Sequence, residues 1–480
     1  MSEIKIKNFS EIPYEQLEEL NLGAKQKMAQ GTSDGTLQEH YLRYLSDEKR
    51  LKAVTVCFSD LEGRFHMLDY DKKFLISSYD NLTFDGSSIR GFSAQSESDL
   101  RLAIDWGTFR WLPSDVFGPG KVMVFGLILD RDKGYYEADM RGQLKRFNER
   151  LRTDQGLTTN VAVETEGFLF QGLNAEQYYD PNVGFKFVSE GGYFNTLPNA
   201  PLRQFIDRFA EAQRALGFEN EKDHPEVAPS QFELNYKYTD ALVAADQIQT
   251  YKLLARLIAA NMGYTASFLP KPMVGINGSG MHTNLSFSKN GKNLFFADNG
   301  QDKLSPFAWE TIDRLLAHAD GLCLLLNSSV NSYRRLDPHY EAPNQIRTSA
   351  VDRSAMVRIP IGNEKSARIE VRSVAPDSNP YLATYSILKT ALEAPYDAAQ
   401  AKHNRTRTDR VLSDNIQDAI SKFQESSWLA SLMGEKIHRK YAELKHTVAD
   451  RCPKSLGNRI KSGEVLFHHE VTNQQLWSQF

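Results

Sequence analysis

Residues 161–170 read Val-Ala-Val-Glu-Thr-Glu-Gly-Phe-Leu-Phe. β-Branched and aromatic residues dominate and polar residues bound the run, so it predicts a strand. Glu164 and Glu166 are two apart, which puts both carboxylates on one strand face. Like charges set among core residues repel and raise each other's pKa unless a cation lies between them. A solvent-facing edge strand carries the same pattern, so the rest of the chain has to decide.

Three further stretches repeat the design. Gln231, Glu233 and Asn235 alternate with Phe232 and Leu234, shortly after Glu226 in His-Pro-Glu-Val-Ala-Pro. Behind a Gly-rich loop at 275–280, His282, Asn284 and Ser286 share one face, with Met281, Leu285 and Phe287 on the other. Arg368-Ile-Glu370-Val-Arg372 alternates strictly. Alone, each reads equally as a solvated edge, and a single His as a hydrogen-bonded structural residue. Together their polar faces are concentrated in acids and arginines rather than Lys, Thr and Ser, which points to a funnel of metal and phosphate ligands. Carboxylates with one imidazole suit hard cations, Mg²⁺ or Mn²⁺. Fixed arginines beside them suit phosphoryl transfer. The Gly-rich loop runs into a strand and lacks Gly-Lys-Ser/Thr, so it is neither a phosphate loop nor a dinucleotide fingerprint.

Toward the N-terminus, residues 1–50 are polar and expected to be helical. Residues 53–60 and 65–68 read as a hairpin around the turn 61–64. A loop at 84–100 carries Asp85 and Asp99, and an Asx-turn at Asp-Gly is its plain reading. Residues 122–129 are a strand, and 130–137 a linker at a domain boundary. The stripe Met140, Leu144, Phe147 and Leu151 is the core face of a helix. Residues 246–262 are a mostly apolar helix, and the last hundred residues are helical and charged. The 480 residues suffice for more than one domain. A net charge of −4 gives no bulk attraction to nucleic acid or membrane. Cys57, Cys323 and Cys452 form no ligand spacing and suit a reducing cytoplasm. The chain opens without an apolar run, and no stretch reaches ~18 apolar residues, so neither signal peptide nor membrane span is expected.

Phe-Asp-Gly-Ser-Ser (84–88), Glu-Thr-Glu (164–166), Glu-Val-Ala-Pro-Ser-Gln-Phe-Glu (226–233), Lys-Pro-Met-Val-Gly-Ile-Asn-Gly-Ser-Gly-Met-His (271–282) and Arg-Ile-Glu-Val-Arg (368–372) occur in that order. In this the chain resembles the class I, bacterial-type glutamine synthetases, from about Ala53 onward. The resemblance implies an α+β fold: a small β-grasp domain at 51–133, after the helical extension 1–50, and a larger α/β catalytic domain at 134–480 around a curved antiparallel sheet. It implies ATP-dependent ligation of ammonia to L-glutamate through γ-glutamyl phosphate. Glu166, Glu226 and Glu233 would hold one divalent metal, and Glu164, His282 and Glu370 a second. Arg335 and Arg372 would bind the glutamate carboxylates, with Asn277 and Gly278 at its amino end. Arg353, Arg358 and Arg368 would steady the phosphates, and Glu221, Tyr238, Ser286 and Phe92 would surround the nucleotide. Asp85, Ser88, Asp99, Tyr193 and Glu226 would surround ammonium, with Asp85 taking its proton. Glu341 would lie on a flap closing over the intermediate. The implied assembly is a dodecamer of two stacked hexamers, each active site shared between neighbours.

There are departures. Asn284 stands where many relatives have His. Ala94 stands where one feedback-inhibited branch has Arg. Tyr396, the sole tyrosine between residues 392 and 411, lacks the Asn-Leu-Tyr-Asp-Leu-Pro context of relatives controlled by adenylylation, and a basic run follows at 402–407; no such control is expected. Relatives that couple glutamate to polyamines tend to lose the acidic ammonium pocket, and a non-catalytic relative would lose metal ligands. Asp85, Asp99, Tyr193 and all six metal candidates are present, which favours ammonia.

Overall fold

The computed structural model describes residues 12–176, 178, 184–336 and 342–450. The chain opens with α1 (Tyr14–Ala29) and α2 (Asp34–Asp47). The Ser33 side chain caps α2 by accepting from the Thr36 N–H. Five strands follow: β1 (Ala53–Ser59), β2 (Phe65–Asp71), β3 (Leu82–Asp85), β4 (Asp99–Trp111) and β5 (Lys121–Leu129). They form one sheet in the order β2-β1-β5-β4-β3, with β1 and β5 parallel and the other neighbours antiparallel. Short helices α3 (Lys72–Ser78) and α4 (Ser114–Phe117) lie in its connections.

The extension is part of the body of the protein. Tyr41 of α2 stacks on Phe109 of β4 at 4.2 Å between centroids. Asn21 of α1 is fully buried; its amide donates to the carbonyls of Trp111 and Ala215, and its oxygen accepts from the Trp111 N–H. One asparagine thus satisfies backbone groups on both sides of a domain boundary.

Beyond the linker come α5 (Met140–Gln155), β6 (Leu157–Gln171), α6 (Pro201–Ala215), β7 (Asn220–Pro225), β8 (Gln231–Tyr236), α7 (Ala241–Asn261), β9 (Tyr264–Ser267), β10 (Met281–Lys289) and β11 (Lys292–Asn293). Then follow α8 (Pro306–Ala317), α9 (Ala319–Leu326), α10 (Val330–Arg335), β12 (Gln345–Ser349), β13 (Ala355–Arg358) and β14 (Ile369–Val371). The chain continues through α11 (Pro380–Glu393), α12 (Ala398–Asn404), α13 (Ile416–Glu425), α14 (Ser427–Met433) and α15 (Glu435–Asp450). The strands curl into a half-barrel in the order β12-β13-β14-β10-β6-β8-β7, with β11 on β10 and β9 on β6. The expectation of an antiparallel sheet holds except at one end: β12 and β13 are parallel, joined by only residues 350–354. Segment 405–410 lies along β12, with Thr348 N–H donating to the Arg405 carbonyl and Ile346 N–H to that of Arg410, so this strand is not a bare edge. The four residues of the α5 stripe are all buried.

The domains are joined through charge as well as apolar surface. Arg141 of α5 is 1% exposed; it donates to Asp246 of α7 at 2.8 and 2.7 Å and lies 3.0 Å from Asp105 of β4. Tyr381 of α11 donates to Asp246 at 2.7 Å. The β1–β2 turn docks on the catalytic domain, where the Asn379 amide donates to the carbonyls of Asp60 and Leu61. Gly63 in that turn has φ +92°, and a Cβ there would lie 2.5 Å from the Asn379 Cα, so only glycine fits.

Candidate active site

β6 supplies the centre. Its register with β10 sets His282 opposite Glu164, and its register with β8 sets Glu166 opposite Glu233. His282 Nδ1 lies 3.5 Å from Glu164, 3.8 Å from Glu166 and 3.7 Å from Glu370. Glu370 is fully buried and accepts from Arg358 at 2.8 Å and Arg372 at 2.5 Å. Glu166 accepts from the Gly280 N–H at 2.9 Å and the Gln231 amide at 3.2 Å. A Cβ at Gly280 would lie 2.5 Å from His282 Nε2, and one at Gly278 2.5 Å from the Pro270 carbonyl oxygen. The Gly-rich loop is thus glycine where its backbone passes close to His282, Arg335 and the Pro270 carbonyl.

A second cluster joins Glu226, Glu233 and His224. His224 Nδ1 is 3.1 Å from the Pro225 carbonyl, which only accepts, so Nδ1 carries the proton. The Nε2 lone pair is therefore available to the cluster, 3.7 Å from Glu233. The sequence reading left His224 without a role. Its signal is register: His224 pairs with Glu233 across β7 and β8, which spacing along the chain does not show.

The charges do not balance. Burial, and then Glu166, push the Glu226 carboxyl up to about 8. Burial, and then Glu164, Glu166 and Glu226, push Glu233 well up. Burial and Arg372 bring His282 down to about 3, so its ring is neutral. Buried carboxylates facing a neutral imidazole are the donor set of a hard divalent cation. The arginines complement them: Arg335 Nη1 and Arg372 Nε are buried donors without a hydrogen-bond partner among the described residues. Orphaned donors of that kind suit an anionic ligand.

Two cavities adjoin at Glu164, Lys222 and Arg368. One, of about 560 Å³, holds the acids with Tyr193, Asn277, Gly278, Arg335, Arg353, Arg358 and Arg372. The other, of about 700 Å³, is lined by Glu221, Tyr238, Asn284, Ser286 and Arg368. Asn284 bridges them, donating to Glu164 at 3.1 Å and accepting from Arg368 at 3.0 Å.

Most of the expected site residues therefore converge, and some do not. Asp85, Ser88 and Asp99 line neither cavity of this chain. Asp85 and Asp99 sit opposite each other on β3 and β4. Asp85 makes the Asx-turn: it accepts from Ser87 and Ser88, and these bonds hold its carboxyl below the usual range. Phe92 also lines neither cavity of this chain: its ring is fully buried, edge-on to Tyr136 at 5.6 Å. Glu341 and Cys452 lie outside the described residues. Tyr396 sits between α11 and α12 with the Arg314 guanidinium 4.9 Å from its ring centroid.

Residues 137–457 match the family described as "Glutamine synthetase, catalytic domain", and residues 50–130 match "Glutamine synthetase, beta-Grasp domain". The chain belongs to the glutamine synthetase family. It is 38% identical over 395 residues to the glutamine synthetase of Thermus thermophilus, covering 76% of this chain and 84% of that one. It is 35% identical over 408 residues to that of Methanosarcina mazei, covering 82% and 90%. Among solved structures, a Plasmodium falciparum glutamine synthetase superposes with a TM-score of 0.77 at 21% identity, over 89% of this chain and 98% of that one. A GmaS–ADP complex superposes with a TM-score of 0.74 at 24% identity, over 88% and 99%. These two likenesses bear on the fold, the family's β-grasp domain followed by its half-barrel. No helix among the described residues is long and apolar enough to cross a membrane.

Proposed function

We propose that this chain is a class I, cytoplasmic glutamine synthetase that activates the γ-carboxylate of L-glutamate with ATP and then transfers it to ammonia. The observation that carries this reading is the pairing of uncompensated carboxylates with orphaned arginine donors where two cavities meet. Glu164, His282 and Glu370 would hold one Mg²⁺ or Mn²⁺, and Glu166, Glu226 and Glu233, with His224 beside them, a second. Bound there, such ions neutralise the charge that spreads over a phosphoryl group in transfer.

The residues themselves do the rest. Glu221, Tyr238, Ser286 and Arg368 seat ATP in the larger cavity, and Arg353 and Arg358 reach its phosphates. Arg335 donates to His282 Nε2 at 3.3 Å, so that nitrogen accepts and Nδ1 bears the proton. A cation held through Nδ1 would need the other tautomer, whose Nε2–H could no longer accept from Arg335, and would leave that guanidinium for a glutamate carboxylate beside Arg372. Asn277 and Gly278 orient the amino end. Tyr193 closes one side of the ammonium site. Asp85, Ser88 and Asp99 act from a neighbouring subunit of a dodecamer, where Asp85 takes the proton of bound ammonium and leaves ammonia as nucleophile. Glu341 belongs to the flap that shields the acyl phosphate from water.

The test is glutamate-dependent ATP hydrolysis by the purified oligomer with ammonium, methylamine, ethanolamine and putrescine. Ammonium should give by far the highest turnover per concentration. A larger amine that outruns it would overturn the choice of nucleophile.

A further inference from the structure

A third cavity, of about 410 Å³, opens beside β12, between α8 and α12. Its size is that of a small-molecule site. It also gives a place to the basic run that the catalytic reading leaves unused, since Lys402 and Arg405 line it. Arg405 is already engaged. It donates twice to Asp313 at 2.7 Å, and its guanidinium lies 4.4 Å from the Trp309 ring centroid. Lys402 is exposed and has no ion pair among the described residues. Thr348 is 7% exposed, and its hydroxyl has no hydrogen-bond partner among the described residues. Trp309 and Ile359 add apolar surface. Asp302 also lines the cavity; against its one carboxylate stand Lys402 and Arg405, and with the unsatisfied Thr348 hydroxyl and the apolar atoms of Trp309 and Ile359 they describe a receptor for an anionic head on an apolar body.

The cavity is tied to the catalytic one through two short segments. Ser349 lines it and is the register partner of Arg358, which lines the catalytic cavity and holds Glu370. The Ser349 hydroxyl accepts from the N–H groups of Val351 and Asp352, shaping the turn that leads to Arg353, another residue of the catalytic cavity. Ile359 directly follows Arg358. Anything that shifts Ser349 or Ile359 must therefore move the backbone carrying two phosphate-facing arginines.

We propose that this cavity is a second ligand site, for a small organic anion with a carboxylate or phosphate head, and that its occupancy is felt at Arg353 and Arg358. The probes are phenyl phosphate and phenylacetate, titrated calorimetrically into the intact protein, into Lys402→Ala and Thr348→Val, and into Arg372→Ala to remove anion binding at the catalytic cavity. At least one probe should bind in the millimolar range or tighter, weaken about tenfold in Lys402→Ala, and persist in Arg372→Ala. Which probe binds tells whether the head is phosphate or carboxylate. The same probe should change the turnover of the wild-type enzyme by about twofold or more and leave Lys402→Ala, whose basal rate is unchanged, unaffected. No heat with either probe, binding indifferent to Lys402→Ala and Thr348→Val, or binding lost in Arg372→Ala would each overturn the site. Binding without any effect on turnover would overturn its connection to the arginines.

Discussion

Two buried charge clusters in this protein use the same residue types to opposite ends. Around Arg141, Asp105 and Asp246 face a guanidinium, with Lys145 3.2 Å from Asp105. Burial alone pushes Asp105 up, yet Arg141 and Lys145 more than offset it and hold its carboxyl below the usual range. Around Glu166, the acids face one another and two neutral histidines, and the Glu226 and Glu233 carboxyls are driven up. The first cluster carries its own cations and fastens the β-grasp sheet to α5 and α7. The second is complete only with cations from outside. Burial of charge alone does not mark a functional site; burial without compensation does.

The largest effect should come from breaking the complete cluster. Arg141→Ala leaves two carboxylates buried without their cation, and urea unfolding should show a loss of about 3–5 kcal/mol. If stability is unchanged, the cluster is not the fastening described here. The incomplete cluster should answer in the opposite sense. Glu166→Gln keeps a carbonyl for the Gly280 N–H and removes one like charge. Turnover should fall about 100-fold or more, while metal-free stability should rise by on the order of 1 kcal/mol. A variant that loses both activity and stability would place Glu166 with the structural acids.

How much of this could be read from the chain follows the same division. Alternation along β6, β8, β10 and β14 shows which side chains share a face, because strand geometry has a period of two. The acid and arginine funnel was therefore legible, as was the α5 stripe. What alternation cannot supply is register between distant strands. His224 becomes part of a cluster only because β7 and β8 place it beside Glu233. The Arg141 cluster joins residues 105, 141 and 246, and nothing local marks them as partners. The burial of Phe92 was illegible for a related reason: a motif fixes position along the chain and says nothing about which way a ring turns. The parallel return between β12 and β13 was invisible, since a five-residue connection ordinarily implies a hairpin.

The response to pH separates the two clusters by sign. A carboxyl whose folded pKa lies above its unfolded value binds extra protons when folded. For Glu226, with an ordinary value of 4.5 and a folded value of about 8, its contribution is fully present below 4.5 and is lost as pH rises toward 8. Asp105 runs the other way. Its folded pKa lies below the ordinary 3.8, so its contribution is present above that value and is lost as pH falls through the folded one. Metal-free protein should therefore lose stability between pH 5 and about 8, and more steeply than Glu226→Gln, which cannot titrate at that position. Saturating Mg²⁺ should flatten the slope, because a cation among the acids favours their ionised form. Arg141→Lys should leave the slope in that window unchanged and show a deficit above about pH 4 that shrinks as pH falls and Asp105 protonates. Urea midpoints at fixed ionic strength across pH 3–9 measure all four cases. If the slope between pH 5 and 8 is the same with and without Mg²⁺, the acids around Glu166 do not form the cation site, and the contrast between the two clusters fails.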